Sequence, residues 1–323
     1  MNLKGRHFIS DMDWSTEELE ELLKCAAELK AKMKKGVPHK YLDAKTLFMI
    51  FFEQSTRTRN AFETGMTQLG GHANDLLASS IQIAHGENAY DTAKVLSRYG
   101  HGIAIRNCDW KIGNKFINEV AASASIPAIN MQCDYYHPTQ AIADLMTVRE
   151  RFGKNLKGLR FTCSWVYAPK YVRPISVPQS LALLMTRFGM KVTIAHPPEF
   201  KLKPEIVEQA NKNAASSGGS FEVVDDMDAA FKGANVVYPK SWGCYLTTED
   251  KPEAAGIAEN YKTWKCDTRR MDLAAGDGIY MHPLPADRGY EVTNDVIDGP
   301  RSVVFDEAEN RLHTAKAIMA LTM

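Results

Sequence analysis

Residues 46–52, TLFMIFF, are a short apolar run with no polar interruption, followed two residues later by Ser-Thr-Arg-Thr-Arg. A strand with one wet face alternates apolar and polar side chains. A run that is apolar throughout suits a strand covered on both faces, as in a parallel sheet flanked by helices. The segments around it keep to that plan. TRNAFETGMTQLG and AYDTAKVLSRYG read as helices, GIAIR as a strand, NKFINEVAASA as a helix, PAINM as a strand, and TQAIADLMTVRERF, near 139–152, as a helix. Strands alternating with helices imply right-handed crossovers and a parallel sheet.

Upstream, Ser15 and Glu18 form a possible capping box. Leu19, Leu22, Ala26, Leu29 and Met33 then recur at helical spacing until Gly36 ends the pattern. Downstream, KNLKG at 154–158 reads as a hinge. A second alternating set follows: RFTCSWV, a helix over Val177–Phe188, KVTIAHP, the helix PEIVEQANKNAA, FEVV, the short helix MDAAFKG, NVVYP, and a late strand in GIYMHPLP. DEAENRLHTAKAIMALTM is one amphipathic helix. The 323 residues suffice for two domains. The expected fold is α/β, with two doubly wound parallel-sheet domains.

The formal net charge is zero, which argues against a general nucleic-acid or membrane binder but leaves room for a local basic pocket. The six cysteines, Cys25, Cys108, Cys133, Cys163, Cys244 and Cys266, form no C-x-x-C pair, so a reduced, cytoplasmic protein is expected. Cys133 and His137 make a metal site conceivable, but no second ligand pair has zinc spacing, and none is expected. The N-terminal segment lacks the apolar stretch of a signal peptide, and no apolar run reaches the ~18 residues of a membrane span.

Four motifs carry chemistry, each after a strand. Ser55-Thr56-Arg57-Thr58-Arg59 stands at a helix start, where unpaired backbone N–H groups and the helix dipole favour an anion. The hydroxyls add donors, and Arg57 can grip a phosphate with two hydrogen bonds. The plainer alternative is a capped helix with solvated arginines. Arg106 ends GIAIR, where it can face a developing oxyanion. His137-Pro138-Thr139-Gln140 offers an imidazole and an amide suited to a carbonyl, though a lone histidine at a helix start is often only a cap. His282-Pro283-Leu284-Pro285 is the fourth.

In this order and at these separations, STRTR, IR, HPTQ and HPLP resemble the aspartate/ornithine carbamoyltransferase family, over nearly the whole chain. The resemblance implies a carbamoyl-phosphate domain over 1–153, completed by 306–323, and an amino-substrate domain over 154–305. It implies that Ser55, Thr56, Arg57 and Thr58 bind phosphate. Arg106, His137 and Thr58 would surround the carbamoyl oxygen as the catalytic set, and Gln140 would hold the carbamoyl nitrogen. Pro283, Leu284 and Arg311 would complete the ligand's surroundings. It further implies a homotrimer whose neighbour supplies the loop SSIQIAHGEN, residues 79–88, with Gln82 or His85 entering the site. An exposed connection within one subunit is the plain alternative for that loop. A neutral amine would attack the carbamoyl carbon and phosphate would leave, with no metal, nucleotide or other cofactor.

The acceptor is less clearly written. Lys240-Ser241-Trp242-Gly243 replaces the S-M-G motif of ornithine enzymes, and Pro283 is the residue aspartate enzymes carry. The arginine/glutamine loop that holds aspartate is not found. YPKSW, 238–242, is similar to the lysine-bearing loop of N-acetylornithine and N-succinylornithine carbamoyltransferases. Residues 164–181, with Pro169, Pro174 and Pro178, are similar to the loop through which that branch knots its chain; a rigid surface loop is the plain alternative. FMIFF, MTQLGGH and SVPQ are shared with the bacterial ornithine carbamoyltransferase-like proteins. The N-acetylornithine enzymes use a lysine just past the late motif, and the nearest position here is Glu291. Lys240, Ser241, Trp242, Asp134 and Glu291 are therefore expected around the acceptor, an amino acid such as ornithine or an N-acylated or related diamino acid. Two other classes stand beside this one. A non-catalytic carbamoyl-phosphate binder should have lost a donor, and an oxidoreductase needs a Gly-rich turn that FTCSWVYAP lacks.

Overall fold

A computed structural model describes residues 2–169 and 173–323. The chain forms two compact units, residues 1–143 with 309–323 and residues 144–308. Its elements run α1 (Thr16–Lys34), β1 (Thr46–Phe51), α2 (Arg57–Gln68), β2 (His72–Leu77), α3 (Ala89–Tyr99), β3 (Gly102–Asn107), α4 (Gly113–Ser123), β4 (Ala128–Cys133) and α5 (Pro138–Phe152). There follow β5 (Arg160–Ser164), α6 (Ser176–Arg187), β6 (Lys191–Ala195), α7 (Pro204–Ser217), β7 (Ser220–Val224), α8 (Met227–Phe231) and β8 (Val236–Pro239). The last are α9 (Lys251–Ala258), α10 (Thr268–Met271), β9 (Ile279–Tyr280), α11 (Asn294–Ile297) and α12 (Val304–Thr322).

The first unit contains a parallel sheet in the order β2-β1-β3-β4. Ile50, Ile103, Ile105, Ile117 and Val120 meet in its core, each wholly buried, and each such side chain contributes about 1.5–3 kcal/mol. The capping box on α1 is present in both directions: Glu18 N–H donates to Ser15, and Ser15 N–H to the Glu18 carboxylate at 2.7 Å. Strand β2 departs from the expected pattern, which passed from helix to helix there. Its sequence, HANDLL, is mostly exposed because it is an edge strand paired only with β1. The apolar signal that marks buried strands is therefore missing.

The second unit holds the parallel order β7-β6-β5-β8-β9. Val166, Phe231, Val237, Tyr280 and Val292 belong to its core. The strands are shorter than their apolar runs: β5 stops at Ser164 and β9 is only Ile279–Tyr280. The apolar residues beyond them line loops instead. Of the segment 164–181, for which a knot is expected, residues 170–172 lie outside the described residues. No helix among the described residues is long and apolar enough to cross a membrane.

Candidate active site

In an open α/β sheet, ligands bind at the carboxyl ends of the strands where the winding direction reverses. In the first unit that reversal lies between β1 and β3, since β2 flanks β1 on one side and β4 flanks β3 on the other. The STRTR segment leaves β1 there, and Arg106 stands in β3 directly beside Phe51. On its other side Arg106 pairs with Gln132, after a register shift that follows Ile105. His137 comes just beyond β4, at the start of α5. Phosphate, oxyanion and carbonyl candidates thus leave three adjacent strands at one edge.

The start of α2 is not capped by the side chain that precedes it. Thr56 precedes α2 with no side-chain cap, so its hydroxyl does not satisfy the first-turn N–H groups. Thr58 is buried, and Arg311 of α12 donates to its hydroxyl. Arg311 thus contacts the first turn of α2, from 253 positions along the chain. The two arginines of the motif diverge. Arg59 pairs with Asp75 of β2 and lies 4.3 Å over the Phe51 ring, whereas Arg57 is the one placed at the N-terminal end of the helix.

Arg106 lies near Glu53, Nε to carboxylate 3.7 Å. Burial raises the Glu53 carboxyl above its usual range, although the Cys108 N–H, at 2.6 Å, and Arg106 oppose that rise. His137 and Gln140 are buried, and the His137 ring lies 3.4 Å from the Thr139 hydroxyl. Asp134 is also in this unit, with one carboxylate oxygen accepting from Lys111 N–H and the other from Asn114 N–H, at 2.8 and 2.7 Å. It caps the start of α4, a job the sequence did not advertise. The Cys133 sulfur accepts N–H groups from Asn130, Tyr135 and Tyr136 within its own turn. Among the described residues no cluster of three or more metal-ligating side chains occurs. Gln82 and His85 lie on an exposed 3-10 turn, 3.4 Å from each other.

In the second unit the reversal falls between β5 and β8. Lys240 to Gly243 leave β8 here. Glu291, wholly buried, organises the region. Its Oε1 accepts from Ser241 N–H at 2.9 Å, and its Oε2 from Asp287 N–H at 2.7 Å and Arg173 at 3.1 Å. His282 Nε2 lies 3.4 Å from the same oxygen. Burial pushes the Glu291 carboxyl up, but His282, Lys240 and Arg173 outweigh it and hold the group well below the usual range. His282 Nδ1 accepts from Leu284 N–H at 2.8 Å, which leaves the ring proton on Nε2, facing Glu291. Arg173 and Asp287, paired at 2.8 Å, escaped the sequence reading; a lone VRP and a lone DR carry no spacing signal.

Lys240 is buried, its ammonium donating to the Ser241 carbonyl at 2.5 Å. Burial and the Arg173 charge lower its pKa to about 7, against Glu291 and other groups that raise it. Trp242 is buried with its indole N–H on the Phe200 carbonyl. Pro283 and Leu284 sit in the loop after β9, where Leu284 takes a left-handed φ of 52°. The His282 N–H donates to Glu307, which shares a buried cluster with Asp144 and Tyr238.

Residues 6–150 match the carbamoyl-P binding domain, and residues 174–322 the Asp/Orn binding domain, of aspartate/ornithine carbamoyltransferases. The chain is 42% identical to ornithine carbamoyltransferase of Thermococcus kodakarensis, over 100% of this chain and 98% of the relative. The solved ornithine carbamoyltransferase from Pyrococcus furiosus superposes with a TM-score of 0.91 at 39% identity, covering 100% of this chain and 98% of that one. A mutant N-acetyl-L-ornithine transcarbamylase, solved with carbamyl phosphate and N-succinyl-L-norvaline, gives 0.90 at 35% identity, over 98% and 100%. Two parallel-sheet domains with these matches define a carbamoyl-transferring enzyme. The chain belongs to the aspartate/ornithine carbamoyltransferase family.

Proposed function

We propose that the protein moves the carbamoyl group of carbamoyl phosphate to the amine of ornithine or of an N-acylated or related diamino acid, releasing phosphate. The observation that carries this reading is the Thr58–Arg311 contact at the carboxyl edge that also bears Arg106 and His137. Ser55, Thr56, Arg57 and Thr58 bind the phosphate. Arg106, His137 and Thr58 stabilise charge on the carbamoyl oxygen as the amine attacks, and Gln140 orients the carbamoyl nitrogen. Donors fixed before reaction lower the barrier because they need not reorganise as charge develops. Lys240 and Ser241 hold the acceptor, while Glu291, with its oxygens already hydrogen-bonded, fixes their loops.

The functional domains are 1–153 with 306–323, and 154–305, joined at the 154–158 hinge. The exposed turn with Gln82 supports a homotrimer in which each subunit lends that loop to its neighbour. Six free thiols support a cytoplasmic setting. The kinship with N-acetylornithine transcarbamylase supports a knot at 164–181. The test is a screen of ornithine, acetylornithine, putrescine, aspartate and diaminopropionate with carbamoyl phosphate, reading released phosphate and ureido product. A diamino acid should give both; neither product from any of them refutes the assignment.

A further inference from the structure

In the second unit two carboxyl groups meet one phenol. The Tyr238 hydroxyl, in β8, lies 3.1 Å from Asp144 Oδ2, in α5, and 3.3 Å from Glu307 Oε1, in α12. The other Glu307 oxygen accepts the His282 N–H at 2.9 Å. Asp144, Tyr238, His282 and Glu307 are all buried, none more than 1% exposed. Asp144 opens the second unit and Glu307 stands next to its last residue, so the cluster lies where the chain enters and leaves that unit.

The protons at this cluster can be counted. A phenol has one O–H to donate, and an ionised carboxylate has none. With both acids ionised, Tyr238 could donate to one and would face the lone pairs of the other, beside two like charges shielded from solvent. With one proton more the arrangement closes. Glu307 Oε1–H then donates to the Tyr238 oxygen, Tyr238 O–H donates to Asp144, and Glu307 Oε2 still accepts from His282. Burial, and then Asp144, push the Glu307 carboxyl well above the usual carboxylate range. The other titratable groups acting on the cluster are the Cys163 thiol of β5 and the phenols of Tyr238 and Tyr280, all pushed up by burial and uncharged at neutral pH. Lys240 lies near the same Cys163. The His282 ring turns to Glu291 instead.

Two loops hang from this cluster. Tyr238 stands two residues before Lys240 in the segment leaving β8, and His282 opens the loop after β9. The His282 ring lies 3.4 Å from Glu291, which in turn accepts the Ser241 N–H. One hydroxyl and one N–H therefore tie the exits of β8 and β9 to α5 and α12. We propose that Asp144 and Glu307 share a single proton and, in that state, act as positioning residues for the loops that leave β8 and β9 and hold the acceptor. The positioning role rests on the carbamoyltransferase reading; the shared proton does not.

Glu307→Gln tests the proton, because an amide offers the donor and acceptor of a protonated acid with no proton to lose. A carboxyl raised by folding holds its proton more tightly in the native chain than in the unfolded one. Native stability is then greatest below the ordinary carboxyl range and falls as pH rises toward the raised value. In urea denaturation of the full chain between about pH 5 and pH 8, the unfolding constant of the wild type relative to Glu307→Gln should climb about tenfold per pH unit. Lys240 is common to both proteins and drops out of the ratio. A constant ratio overturns the shared proton. Should that variant not fold, the infrared carbonyl band of a protonated carboxylic acid decides. Its shift or loss between wild type and Asp144→Asn at pH 7 upholds the proton, and identical spectra overturn it. For the positioning role, Glu307→Leu cannot accept from His282 and should raise the acceptor KM about tenfold, the scale of one hydrogen bond to a charged group. Glu307→Gln should keep the wild-type KM, and the calorimetric affinity for inorganic phosphate should not change in either. An unmoved acceptor KM in Glu307→Leu, or an equal rise in Glu307→Gln, overturns that role. Tyr238→Phe takes the place of Glu307→Leu, with the same two outcomes, if the latter does not fold. If no acceptor turns over, the transferase reading fails by itself, and the stability ratio still judges the proton.

Discussion

Arg57 and Arg59 stand two residues apart in the first turn of α2 and are expected to act differently. Arg59 is fixed by Asp75 and the Phe51 ring, so Arg59→Ala should cost about 1 kcal/mol of stability, as a half-exposed ion pair and a cation–π contact would. Arg57→Ala should instead weaken carbamoyl phosphate binding by about 10–100-fold, the loss expected for a charge-assisted contact, while the unfolding midpoint barely moves. Calorimetric titration and urea denaturation of both variants separate the two effects. Equal affinity in folded Arg57→Ala protein would remove Arg57 from the phosphate site. Lys240 supplies a pH test. A lysine with its pKa lowered to about 7 is charged below that pH and neutral above it. An acceptor carboxylate held by Lys240 should then bind best in mild acid and weaken as pH rises through 7. Norvaline, which has the carboxylate but no reacting amine, isolates the effect from deprotonation of the nucleophile. Its inhibition constant should rise across pH 6–8 in the wild type and stay flat in Lys240→Met. A flat wild-type profile would exclude the lysine from that role.

At the scale of elements, the buried strand β1 could be read from the sequence because burial on both faces leaves an apolar run. The edge strand β2 could not, and α9 was missed because KPEAAGIA carries almost no amphipathic pattern. That the STRTR segment stands at a helix start after a strand was also legible, because it is a dense local motif. The Arg173–Asp287–Glu291 cluster was not, since its members come from loops more than 100 residues apart and meet only in three dimensions. The start of α4 shows how an element boundary can be fixed by one residue. A Cβ at Gly113 would lie 1.9 Å from the Asn107 carbonyl oxygen, at the end of β3 one residue beyond Arg106. Gly113→Ala must therefore push α4 away from that strand. We expect a loss of about 1–3 kcal/mol or more in urea denaturation, together with reduced kcat, because the shifted carbonyl belongs to the residue next to Arg106. A variant of native stability would show that the turn has slack.

For the whole molecule, the proposed trimer predicts complementation. On that reading Arg106→Ala subunits lack the proposed oxyanion donor, and Gln82→Ala subunits lack the side chain they would lend. Each homotrimer should lose about 10²–10³-fold in kcat where a donor of the oxyanion type is removed. Mixed trimers should regain part of the activity, because some sites receive an intact half from each parent. Verified hybrids without recovery would argue against shared sites. The two units differ in one respect that matters before any assembly. The second is one continuous stretch, 144–308, whereas the first needs residues 309–323 as well. During synthesis the later-coded unit can therefore close on itself while the earlier-coded one is still waiting for α12. At about 5–20 residues per second, the 253 residues between Thr58 and Arg311 correspond to tens of seconds. The STRTR segment leaves the ribosome among the first elements, yet Arg311, which touches Thr58, is among the last. If that segment binds phosphate as proposed, a nascent chain spends most of its translation without the Thr58–Arg311 contact, with the surface that α12 will cover open to chaperones.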